Sequence, residues 1–108
     1  MSQKIYVDVA EGSGRVGGNA ALYQRLLGSF VKGDYFGLIE KDIENGDLDA
    51  AAKSAHTLKG VAANLSLKEV NILAAQLEQE LKNGLEYSAT LEELKQANEI
   101  TLSEINSL

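Results

Sequence analysis

The sequence predicts an all-α fold, an antiparallel four-helix bundle with one or two short amino-terminal helices. Three observations predict it. Apolar residues recur at helical spacing through most of the chain. No segment sustains a period-two alternation flanked by turns; the nearest, Ile5-Tyr6-Val7-Asp8-Val9, is short, and a lone strand has no partner. The chain contains no proline, so long helices run uninterrupted.

The elements follow in order. Gly12-Ser13-Gly14-Arg15-Val16-Gly17-Gly18 reads as the loose end of a short amino-terminal helix and then a turn. It fits neither a phosphate loop nor a dinucleotide fingerprint, since no strand precedes it and no Gly-Lys-Ser/Thr follows. Asn19 caps a helix over about 20–32, striped by Leu22, Leu26, Leu27 and Phe30. Asp34 starts another over about 35–44, with Phe36, Ile39 and Ile43. Asn45-Gly46 stops it, and Asp47 caps the next.

That helix runs over about 48–64, with Leu48, Ala51, Ala55, Leu58 and Ala62 on one face. So much alanine lets neighbouring helices approach closely. Ser66-Leu67-Lys68-Glu69 has the capping-box pattern, and Leu65 and Val70 are placed for a hydrophobic staple. The following helix runs to about Asn83 with Leu67, Val70, Leu73, Ala74, Leu77 and Leu81 on one face, and Asn83-Gly84 ends it. Thr90 to Glu93 repeats the capping-box pattern before a last helix carrying Leu91, Leu94, Leu102 and Ile105. Asn98 falls inside that last stripe without a reason in the sequence.

At 108 residues the chain is one domain's length, 1–108, with the bundle core over about 20–108. Hydrophobic residues make up 44% and charged residues 24%, as in ordinary globular proteins. The absence of cysteine excludes disulfides, thiolate metal sites and cysteine nucleophiles. The net charge of −6 argues against binding nucleic-acid phosphates. No apolar run approaches the roughly 20 residues that span a bilayer, and Met1-Ser2-Gln3-Lys4 lacks a signal-peptide apolar region. The expected location is therefore the cytoplasm, away from the membrane.

The chemistry concentrates at His56, the only histidine. Its helix phase turns it off the core stripe, onto a flank shared with Ala52, Lys59, Gly60 and Ala63. Small neighbours expose the imidazole and leave room for a partner, and a long side chain at Gly60 would close that access. Lys59, about one turn on, can sit beside an anion carried by the ring. The chain reverses near Leu65, so counting outward brings Glu78 and Lys82 within about one or two turns of His56, at ~1.5 Å per residue. A carboxylate there can accept the Nδ1 hydrogen and leave Nε2 unprotonated and nucleophilic. From spacing alone two readings stay open. His56 is a surface structural residue and Glu78–Lys82 an ordinary helix ion pair, or the group is an anion-carrying site.

The segment Ala55-His56-Thr57-Leu58-Lys59-Gly60-Val61-Ala62-Ala63-Asn64-Leu65, followed by Leu77-Glu78, resembles the histidine-containing phosphotransfer (HPt) domain family. The resemblance extends upstream through Gly17-Gly18-Asn19, Leu22-Tyr23, Leu26-Leu27 with Phe30, and Gly46-Asp47, covering roughly residues 7 to 84. It implies a four-helix bundle whose exposed His56 takes a phosphoryl group from one receiver aspartate and passes it to another. Lys59 matches the family's lysine near the phosphate and Gly60 the glycine that gives a receiver access. Glu78 falls where Gln or Glu often binds the ring, and Lys82 at a position that is sometimes basic. Ser66 departs from the usual glycine at the hairpin turn, a change the capping box accounts for. Ser13 departs from a common leucine in the first helix.

The resulting expectation is a phosphocarrier of a two-component multistep phosphorelay, without kinase activity of its own. No ATP loop or kinase motif is present. The chain would bind no cofactor, and Mg²⁺ would belong to the partner receiver, since no carboxylate cluster with metal-site spacing lies beside His56. The expected partners are response-regulator receiver domains and a hybrid histidine kinase, with the chain a monomer. Two rivals are the phosphoacceptor domain of a hybrid or chemotaxis-type histidine kinase, and a helical interaction module in which His56 does no chemistry.

Overall fold

The structure, a computed structural model, describes residues 4–108; Met1-Ser2-Gln3, the start of the segment read for a leader, lie outside the described residues. Six helices follow in order among the described residues: α1 (Val9–Arg15), α2 (Ala20–Gly33), α3 (Tyr35–Glu44), α4 (Leu48–Asn64), α5 (Lys68–Lys82) and α6 (Ser88–Asn106). There is no strand among them, as the sequence predicts. Short connections make α3 and α4, α4 and α5, and α5 and α6 antiparallel neighbours. α4 packs against α3 and α5, α5 packs against α6, and α2 reaches both α1 and α6. No helix of the described residues is long and apolar enough to cross a membrane.

Three of the predicted caps form. The Asn19 side chain accepts from the Leu22 amide, Asp34 from Gly37 and Asp47 from Ala50. The α4–α5 pair forms the centre of the core. Ala51, Ala55, Leu58 and Ala62 of α4 meet Val70, Ala74 and Leu77 of α5, all fully buried. Each such leucine contributes about 1.5–3 kcal/mol by leaving water. Leu48, expected on the same stripe, is 39% exposed at the start of α4, where it has no neighbour to cover it.

Other expectations need correction. On α2 the buried positions are Tyr23, Leu27 and Phe30, while Leu26 stays exposed. Tyr23 takes the core position because its hydroxyl reaches the Leu65 carbonyl at 2.6 Å. The glycine-rich segment ends α1 at Arg15 and then turns, with Gly17 and Gly18 in the left-handed region, as the sequence predicts. Gly12 lies inside α1 and is buried, and a Cβ there would stand 2.2 Å from the Tyr23 ring.

Neither capping box forms. α5 starts after Leu67 with no side-chain cap, and Ser66 instead closes α4 in the left-handed region at φ 58. The Leu67 amide donates to the Ala62 carbonyl and the Ser66 amide to Ala63, which is a Schellman motif. That conformation, and not a cap, is why a glycine suits this position. It also moves Leu65 and Val70 off the staple positions, although both remain in the core. Thr90 lies in the first turn of α6, not at its cap, and its hydroxyl donates to Glu80. Asn98 is buried, and nothing in the structure explains it.

Candidate functional site

The site lies along the α4–α5 seam. Ala55 and Ala74, both fully buried, let the two helices approach closely, and the side chains flanking that seam converge. His56 projects from α4 with its side chain 65% exposed, whereas Glu78 of α5 is only 2% exposed. The Glu78 Oε2 atom lies 2.9 Å from His56 Nδ1. Lys59 Nζ pairs with Glu78 Oε1 at 2.9 Å, and Lys82 Nζ pairs with Oε2 at 2.8 Å. The structure thus brings His56, Lys59, Glu78 and Lys82 together on one buried carboxylate. Gly60 lies one residue beyond Lys59 and is exposed, and a Cβ there would meet nothing within 4 Å.

The electrostatics follow from this arrangement. Burial alone would raise the Glu78 pKa, but the contacts from Lys82, Lys59 and His56 outweigh it and hold its carboxyl at about 2. Glu78 is therefore ionised at neutral pH and accepts the Nδ1 hydrogen. The free lone pair of a neutral ring is then on Nε2, which faces solvent. Two lysines surround one carboxylate, so the pocket of charge is locally positive on a chain of net charge −6. An imidazole so arranged can act as a nucleophile towards an anionic electrophile.

Spacing alone did not find Asn71. Its side-chain amide donates to the Lys59 carbonyl at 3.0 Å, tying α5 to α4 beside the site. The available signal is its position seven residues before Glu78, on the same face of α5.

A groove of about 600 Å³ is lined by Arg15, Leu26, Phe30, Tyr35, and Val61 and Asn64 of α4. Val61 and Asn64 follow Gly60 on α4, so the groove begins within about two turns of the imidazole.

No curated protein and no solved structure matches this chain. The family model of the Hpt domain matches residues 33–104, two thirds of the chain and all of α4 and α5. Hpt domains transfer phosphoryl groups through a histidine in two-component phosphorelays. They are phosphocarriers that interact with receiver domains and kinases. With a helical bundle and an exposed imidazole on a buried carboxylate already in place, this match settles the family: the chain belongs to the Hpt domain family.

Proposed function

We propose that His56 is the phosphoacceptor of a phosphorelay, taking a phosphoryl group from a receiver aspartate and passing it to another. The observation that carries this reading is the 2.9 Å contact between Nδ1 of a largely exposed His56 and the buried Glu78. Nε2 attacks the phosphorus of the acyl phosphate in line. The N–P bond forms, the P–O bond breaks, and the aspartate leaves as a carboxylate. The Nδ1 hydrogen stays in place, so the phosphorylated ring carries a positive charge. Ionised Glu78 stabilises that charge, and the step reverses towards a second receiver without proton transfer.

Lys59 and Lys82 act on the phosphoryl oxygens. Each is partly exposed and can turn from Glu78 towards the new anion. Gly60 keeps the approach open. Mg²⁺ belongs to the receiver, where the phosphoryl charge is neutralised before transfer. The chain itself binds no cofactor and has no kinase activity. It works in the cytoplasm and as a monomer, between a hybrid histidine kinase and receiver domains. The groove beside Gly60 accepts an apolar helix of the receiver, which sets the acyl phosphate over Nε2.

Incubation with a phosphorylated receiver tests the reading. Wild type is expected to gain acid-labile, base-stable phosphate, and His56→Gln to gain none. Equal labelling of the two, or none in either, sinks it.

A further inference from the structure

α1 is held to the bundle in an unusual way. Gly12 is its one buried residue, Val9 is 42% exposed, and two glycines within seven residues lower its helix propensity. Beside the packing of Gly12 on Tyr23, a polar attachment centres on the α4–α5 turn. Glu11 accepts from Lys68 Nζ at 2.6 Å through both oxygens and from Ser66 Oγ at 2.8 Å. Arg15 donates to Ser66 Oγ and to Glu11, each at 3.3 Å. The Asp8 amide donates to the Ser66 carbonyl, and the Glu69 amide to the Ile5 carbonyl.

Ser66 is 1% exposed and adopts a left-handed conformation that a non-glycine residue holds only when its surroundings impose it. Its hydroxyl is the hub of the attachment. Immediately beyond, Arg15 and Val16 line the groove whose α4 wall is Val61 and Asn64.

We propose that Glu11, Ser66 and Lys68 are positioning residues for receiver recognition: they clamp α1 so that Arg15 and Val16 stand as a preformed wall of the docking groove. None of the three touches the reacting atoms. The clamp acts on affinity, because a receiver meeting a loose α1 must order it on binding. Once the receiver is bound, the chemistry at His56 is unchanged. This inference rests on the receiver-docking reading of the groove.

The test uses Ser66→Gly and Lys68→Gln, with hydrogen exchange, receiver affinity and single-turnover transfer measured on each. Ser66→Gly is diagnostic because it relieves the backbone strain while deleting the hydroxyl. Its melting temperature is expected to hold or rise, while protection of the α1 amides falls about fivefold, as for a locally opening segment. The receiver Kd is expected to rise roughly fivefold in both variants, with the rate at saturating receiver unchanged. Wild-type α1 protection and Kd in both variants would overturn the proposal. So would a melting temperature for Ser66→Gly that falls in step with its affinity, since that marks a merely structural role. Should the wild type neither bind nor exchange phosphate with any receiver, the receiver reading fails. The exchange data then still decide whether the clamp holds α1.

Discussion

Glu78 is the residue on which the site depends. It is buried, yet ionised, because two ammonium groups and an imidazole surround it. A glutamine there keeps an acceptor for Nδ1 but loses the charge that stabilises a phosphorylated, cationic ring. Glu78→Gln is therefore expected to slow transfer roughly tenfold, the loss of the charge and not of the hydrogen bond. Quench-flow transfer from one phosphorylated receiver, with circular dichroism as a fold control, checks this. An unchanged rate removes Glu78 from the mechanism. Much of this group was legible in the sequence. The helix phase put Lys59 and Gly60 beside His56, and counting back from the reversal at Leu65 brought Glu78 and Lys82 to its level. The sharing of one carboxylate by three side chains was not legible. It depends on how closely the alanines let α4 and α5 approach, a distance that spacing does not contain.

α4 carries both the core stripe and the accessible flank, and Gly60 shows how the two demands differ. A glycine in the middle of a helix destabilises it by about 0.5–1 kcal/mol relative to alanine. Nothing lies within 4 Å of a Cβ at Gly60, so packing does not require the glycine. Gly60→Gln is expected to stabilise the fold by about 0.5 kcal/mol, from helix propensity, while slowing transfer because the side chain stands in the receiver's path. Urea unfolding and the single-turnover rate, measured together, check both signs. A rate equal to wild type ends the access argument. The helix ends were less legible than the faces. Both Ser66 and Thr90 stand three residues before a glutamate, the capping-box spacing, yet neither caps. The Ser66 hydroxyl bonds to Glu11, 55 residues away in sequence, and the Thr90 hydroxyl bonds to Glu80 across the α5–α6 seam. A local pattern identifies a cap only when no tertiary partner competes for the same hydroxyl. Asn19, Asp34 and Asp47 are exposed, meet no such competitor, and cap as read.

Across the whole molecule, 16 acidic residues outnumber 10 basic ones, yet two carboxylates are held by cations at opposite ends of the α4–α5 hairpin. Glu11 sits at the turn, where hydrogen bonds from Lys68 and Ser66 draw its carboxyl down from the ordinary 4.5 to about 2. Glu78, towards the far end of α5, is lowered to about 2 despite its burial. A carboxylate whose folded pKa is depressed contributes stability that is fully present above its unfolded value. That stability is lost as the pH falls towards the folded value. Both contributions should therefore fade between about pH 4.5 and 2. Their salt dependence should differ. Glu11 is partly exposed, so screening weakens its pairs, whereas the buried Glu78 is shielded from counterions. Urea midpoints measured from pH 6 to pH 2.5, at low and high salt, are expected to fall with acid in the wild type. The fall should be shallower in Glu11→Gln at low salt only, and shallower in Glu78→Gln at both. If neither variant flattens the acid limb, the ion pairs at the two ends of the hairpin do not set the stability of this bundle, and the clamp on α1 loses its electrostatic basis as well.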